Sequence, residues 1–216
     1  MAVNQFDKLN MPQEEELPYK PRSMPYEDYF GEMELDEEEK KDRIELAEKF
    51  EVLLLYFFLL YLEDKEKKYE DMIADRYEAI ANEFLGSNRT SAYIKESAEK
   101  FAKDIVETTK KHDGDLWYTS KDRSMVASEN ESNLIGNYRE RVQAVKDGMN
   151  MKYWLSQRDL EVRHTHQIAD GQEVGIFEPF KVGDSLMMFP KDSSLDADMK
   201  EIAGCRCVCK YFKKIK

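Results

Sequence analysis

The sequence predicts an α+β protein: a mainly helical N-terminal half followed by a small α+β C-terminal domain with short antiparallel strands. Three observations carry this. Apolar residues recur at spacings of three and four between residues 35 and 149, the period of an amphipathic helix. Helix-stopping residues cut that run at Gly86 and at His112-Asp113-Gly114-Asp115. After Gly171 the pattern shifts to short strand-like runs with Gly and Pro between them. The expected organisation is an extended arm (1–33), a helical region (34–120) and a C-terminal domain (121–216).

The arm holds four of the six prolines, Pro12, Pro18, Pro21 and Pro25, around an acidic Glu14-Glu15-Glu16. Proline fixes φ and removes a backbone donor, so neither a helix nor a central strand is expected there. Tyr19, Tyr26, Tyr29 and Phe30 are the aromatic anchors by which the arm would dock on a partner or wrap its own domain. From Leu35 the chain turns helical. Asp36-Glu37-Glu38-Glu39 places acids at the positive end of a helix dipole. That helix is expected to run to about Lys68 through Val52–Leu62, VLLLYFFLLYL. Being apolar on every face, it should be central in a bundle or covered by neighbouring subunits. Eleven apolar residues flanked by Glu51 and Glu63-Asp64 fall well short of the roughly 20 needed to span a bilayer, so no membrane span is expected.

A second helix carries Tyr69, Ile73, Tyr77, Ile80 and Phe84 and stops at Gly86. Ser87-Asn88 can cap a third, with Ile94, Ala98, Phe101 and Ile105 on its buried face. A fourth carries Ile135, Tyr138, Val142, Val145 and Met149 as a core stripe. The strand candidates are Glu173–Phe177, Ser185–Phe189 and Arg206–Phe212, with a short helix over Ser194–Ile202.

Charge excludes one function class. The net charge of −12 argues against a nucleic-acid coat driven by overall electrostatics, since such binding depends on neutralising phosphates. The distribution is uneven: residues 1–46 carry net −8 and residues 200–216 net +5. The basic tail is either a local DNA contact or a solvated strand edge guarded by lysines. The first residues lack a basic start followed by an apolar run, so no signal peptide is expected. Three cysteines do not make a disulfide framework, and a reducing cytoplasm is the expected place of synthesis.

The densest chemistry lies in Lys152–Gly171, KYWLSQRDLEVRHTHQIADG, together with Gly204-Cys205-Arg206-Cys207. Asp159, Arg163, His166 and Asp170 are spaced by four, three and four. On one continuous helix they would share a face and form a charge-assisted hydrogen-bond chain, ended by Gly171. This is expected to be a buried structural network tying helix to sheet. Cys205, Cys207 and Cys209 alternate and would share one strand face beside His166, with Arg206 pointing outward or to an acid. His166, Cys205 and Cys207 are the candidate zinc ligands. Because Cys-x-Cys is tighter than the usual zinc spacing, reduced buried thiols without a metal or other cofactor are expected instead, and no catalytic residues. The competing readings are an enzyme, a transferase or hydrolase with His166 as general base and Cys205 or Cys207 as nucleophile, and a zinc-stabilised adaptor. No Gly-rich phosphate loop, GxSxG or HExxH accompanies them.

As an ordered series these residues resemble the C-terminal domain of phage minor head (head morphogenesis) proteins, the Mu F-like family. The series is Lys152-Tyr153-Trp154, Asp159, Arg163, His166, Asp170-Gly171, Phe180, Pro190-Lys191-Asp192 and Cys205-Arg206-Cys207. Ala127-Ser128-Glu129 and Gly148 fall where the family has an Arg-Thr-Glu-like run and a Gly before the Trp. There are two departures: the run lacks its arginine, at Ser128, and Gly204 replaces the usual Asn before Cys-Arg-Cys. The resemblance covers about the last ninety residues of 216. It implies a non-enzymatic structural protein of the virion, made in the host cytoplasm and bound at the portal vertex or capsid interior. The implied partners are the portal protein, the major capsid protein or both, with scaffold and packaged DNA as further contacts. Some relatives are fused to toxin enzymes, a module not expected here.

Overall fold

The structure, a computed structural model, describes residues 23–215. Its helical part consists of α1 (Tyr26–Gly31), α2 (Glu37–Glu63), α3 (Glu70–Phe84), α4 (Ala92–Lys111) and α5 (Lys121–Lys146). A single 3-10 turn, Leu116–Thr119, precedes α5. The C-terminal part consists of β1 (Met151–Leu155), α6 (His164–Ala169), β2 (Glu173–Gly175), β3 (Phe180–Val182), β4 (Ser185–Met187), α7 (Met199–Ile202) and β5 (Val208–Phe212). The α+β class expected from the sequence is the one observed.

Helix α2 begins where its acids suggest. The Asp36 carboxylate accepts from the Glu39 backbone N–H at 2.8 Å, and Glu39 accepts from the Asp36 N–H at 3.2 Å. This reciprocal capping box satisfies two otherwise orphaned donors and stabilises the helix start by about 1 kcal/mol. Helix α2 packs along both α5 and α3, and α3 packs on α4. Phe50, Leu54, Phe57, Phe58 and Tyr61 are buried between them. The ring of Tyr77 sits 4.9 Å from that of Phe50 and 5.4 Å from that of Phe101, locking three helices at one level.

Within this chain α2 is not buried on every face, which corrects one of the two expectations for it, a central place in the bundle. Val52, Tyr56, Leu59 and Leu62 lie on its open side, with Val52 67% and Leu59 64% exposed. The cap of α4 also moves, from Ser87-Asn88 to Ser91, whose hydroxyl accepts from the Ile94 N–H at 3.2 Å. The Ser87 hydroxyl is instead committed to a local turn with Arg89.

Helix α5 departs most from its pattern. Of the expected stripe only Ile135 is fully buried, and Val145 is exposed. The buried face is polar: Ser124, Ser128 and Ser132 at spacing four, with Asn133 and Asn137. The reason is Arg43 of α2, which is 0% exposed and laid against this face. Its guanidinium donates to Asn133, Asn137 and Glu140. Ser132 donates to the Arg43 carbonyl at 2.5 Å. A Cβ at Gly136 would fall 2.5 Å from the Arg43 Cζ, so the absence of a side chain there is what lets the guanidinium in.

Gly148, at φ +70°, ends the α5 turn, and the chain leaves as β1, a strand not anticipated from the sequence. β1 is central in an antiparallel sheet of order β2-β1-β5, with Trp154 opposite Cys209 and Leu155 opposite Val208. β3 and β4 form a separate hairpin. Trp154 and Cys209 belong to the core that also takes in Phe180 and Met187. Leu155 and Val208 belong instead to a core with Tyr26, Tyr29, Phe30 and Met33.

This corrects the reading of three arm aromatics as partner-docking residues in favour of the alternative that the arm wraps its own domain, and α1 corrects the expectation that no helix forms there. Tyr26, Tyr29 and Phe30 cover the chain's own sheet, Phe30 at 0% exposure, and the Tyr26 hydroxyl donates to Glu51 at 2.8 Å. Tyr19 lies outside the described residues. Among the described residues no helix is long and apolar enough to cross a membrane.

Candidate functional site

The motif residues converge around Trp154. Its indole is fully buried, edge-on to the His166 ring at 5.6 Å and to the Phe180 ring at 5.4 Å. Two residues earlier on β1, Lys152 lies over Phe180 at 4.7 Å and donates to the Met188 carbonyl at 2.5 Å. Burial holds its ammonium down at about 8. The Pro190-Lys191-Asp192 turn packs alongside. Asp192 accepts from the Met188 N–H at 2.9 Å and the Ser194 N–H at 3.0 Å, and Lys191 donates to Asn130 and to the Ile202 carbonyl.

The expected continuous chain Asp159–Arg163–His166–Asp170 does not form. The helix starts only at His164, with Arg163 as its N-cap and Asp170 as its C-cap. The residues before it turn through Arg158 at φ +58°, which takes Asp159 off the helix face. Each member finds a separate partner. The Asp170 carboxylate accepts from the Ser156 N–H at 2.8 Å and from Arg158 at 2.9 Å. Arg163 donates to the Ala203 carbonyl. Asp159 accepts from Arg206 at 2.7 Å. Gly171 does end the helix, at φ +76°.

Arg206 meets acids, as expected, and meets three: Glu32 at 2.5 Å, Asp159 at 2.7 Å and Glu161 at 2.9 Å. It thereby ties the end of α1 and the 156–163 turn to the Cys-Arg-Cys segment. The remaining network member, His166, is 1% exposed and faces the thiols. Its Nδ1 lies 3.3 Å from Cys207 Sγ and 3.6 Å from Cys205 Sγ. On the other side of the ring, Nε2 lies 3.2 Å from a Glu201 carboxylate oxygen, off the line of a good hydrogen bond. Glu201 also accepts from the Thr165 hydroxyl at 2.7 Å.

All three cysteines are buried and free. Only Cys209 lies within β5; Cys205 and Cys207 are in the segment that leads into it. The expected nearness of thiols to His166 therefore holds for two of the three. Burial pushes the Cys205 thiol up, but its hydrogen bonds to Cys207 and His166 outweigh this and hold it well below the usual thiol range. Cys207 is pushed well above it by its hydrogen bond with Cys205 and by burial. Burial pushes Cys209 up to about 12.

Three residues absent from the sequence-based site hold the Cys-Arg-Cys backbone. Asn130 accepts from the Gly204 N–H at 3.0 Å, and Asn133 donates to the Cys205 carbonyl at 2.9 Å. Asn137 donates to the Pro190 carbonyl at 3.1 Å and the Cys207 carbonyl at 3.5 Å. They sit at spacings of three and four on α5, one helical face. Spacing alone places these asparagines, and Ser124, Ser128 and Ser132 at spacing four, on polar helix faces, and nothing in the sequence marks those faces as buried. No family model matches the chain, no curated protein matches it, and no solved structure matches it.

Proposed function

We propose that this protein is a structural component of a phage head: a minor head protein held at the portal vertex or capsid interior of the virion and made in the host cytoplasm. Portal protein, major capsid protein or both are its partners. Scaffold and packaged DNA are further contacts, the latter through the basic residues of 200–216. The motif series Trp154, Asp159, Arg163, His166, Gly171 and Cys205-Arg206-Cys207 supplies the identity, by resemblance. The observation that carries a docking role is the open side of α2. Val52, Tyr56, Leu59 and Leu62 follow one another at spacings of four and three, more than half exposed. Between α2 and α3 runs a groove of about 700 Å³ whose lining includes Val52, Leu53, Tyr56, Ala79 and Ile80 together with the charged Lys49, Arg76 and Glu83. Apolar surface accompanied by charged groups is the anatomy of a protein interface, and a patch this continuous is unusual on a protein that works alone.

The test is co-expression with portal and coat proteins and capture on the tagged chain. A Val52→Glu, Leu59→Glu double variant should keep its melting temperature and lose capture at least tenfold. Undiminished capture by that variant sinks the docking role.

The enzyme reading has one observation in its favour: Cys207, His166 and Glu201 are in the order nucleophile, base and orienting acid. The cleft beside them measures about 20 Å³, room for one water-sized group and not for a substrate.

A further inference from the structure

We propose that His166 Nδ1, Cys205 Sγ and Cys207 Sγ form a metal site that takes one zinc ion, with water in the fourth position. This reverses the expectation drawn from the tight Cys-x-Cys spacing, and it stands independently of the head-protein reading.

Geometry argues first. The three ligand atoms lie within 4.8 Å of one another, and all three residues are buried. A tetrahedral zinc with Zn–S of about 2.3 Å and Zn–N of about 2.0 Å places nitrogen and sulfur about 3.5 Å apart. The observed separations from Nδ1 are 3.3 and 3.6 Å, so the nitrogen and either sulfur already stand at the distance a shared ion requires to within a few tenths of an ångström. An imidazole nitrogen has one lone pair and accepts one thiol proton at a time.

The surroundings are those of a metal site. Metal-bound histidines turn their second nitrogen to a carboxylate, which fixes the tautomer and aims the lone pair at the metal. The buried Glu201, 3.2 Å from Nε2, lies beside that nitrogen, though off the line of a good hydrogen bond. The two cysteines are also held without any ion, since Asn133 and Asn137 of α5 bond their carbonyls. His166 comes from α6, so an ion would link that helix to the strand entrance at 205–207. The remaining coordination position opens to the cleft of about 20 Å³, which admits a water. Two thiolates cancel the charge of a divalent ion, so no net charge is buried. The donor set of two soft sulfurs and one imidazole suits zinc and not magnesium or calcium. Binding requires both thiols to ionise, so zinc displaces two protons into solvent, less whatever share is already ionised.

The experiment uses the full chain, purified under reducing conditions. Metal analysis of the protein as isolated, and after incubation with zinc alone and removal of excess, should give one zinc per chain. Cobalt(II) in its place should give thiolate-to-cobalt charge transfer in the near ultraviolet and the intense visible bands of tetrahedral coordination. Cys209→Ser, outside the cluster, should leave binding unchanged, whereas Cys207→Ser should weaken it at least tenfold. Metal-free wild-type protein that takes up neither ion overturns the proposal, whether or not the variants fold. So does a cobalt spectrum lacking the thiolate band, or one abolished by Cys209→Ser and kept by Cys207→Ser.

Discussion

Replacing Gly136 by alanine should destabilise this protein, although alanine is the better helix former. Gly136 lies inside α5, where the exchange by itself gains about 1 kcal/mol. Its new methyl group would stand 2.5 Å from the Arg43 Cζ, 2.6 Å from Nε and 2.9 Å from Nη1. Non-bonded carbon contacts settle near 3.5–4.0 Å, so the guanidinium must withdraw by about 1 Å. It cannot do so freely, because Asn133, Asn137 and Glu140 hold it at 0% exposure. Breaking a buried charged pair costs about 3–5 kcal/mol, which leaves a net loss of about 2–4 kcal/mol. At about 2–4 °C per kcal/mol for a chain of this size, the melting temperature falls by roughly 5–15 °C. Thermal unfolding followed by circular dichroism measures it, on wild type, Gly136→Ala, Arg43→Met and the double variant. With Arg43→Met in place, Gly136→Ala should become neutral or stabilising. A Gly136→Ala protein that melts at or above the wild-type temperature would refute the reasoning, since the guanidinium would then have somewhere else to go.

Two further outcomes are expected. Burial raises the carboxyl of Glu129 to about 8 and that of Glu131 to about 7, both from 4.5. Between 4.5 and those values the folded state binds more protons than the unfolded, so stability falls as pH rises through that window. Glu129→Gln should flatten the profile of melting temperature against pH and raise it most at the alkaline end; an unchanged slope would count against a buried, protonated Glu129. Phe30→Ala should cost about 3–5 kcal/mol, as truncating a buried aromatic does. Read by urea unfolding, a wild-type midpoint for that variant would mean that α1 does not hold the sheet.

Much of the fold was legible because its causes are local. The acids at Asp36–Glu39, the three-and-four spacing of Ile73, Tyr77, Ile80 and Phe84, and the turn at Gly86 act within a few residues of themselves. Hydrophobic period and capping therefore predicted three of the four long helices closely, and composition predicted strands after Gly171, although the change of class comes earlier, at β1. The nearness of His166 to Cys205 and Cys207 was also foreseen, from burial preference and alternation. What only tertiary structure decided were the partners of polar groups. Asp159, Arg163, His166 and Asp170 have helical spacing, but the chain turns at Arg158, and each bonds a group distant in sequence. The stripe of Asn130, Asn133 and Asn137 reads as solvated surface until Arg43 and the Cys-Arg-Cys backbone arrive from 70 to 90 residues away. Spacing shows which side chains share a face, whereas the hydrogen-bond partner that makes burial of that face tolerable comes from another element, and only folding brings it there.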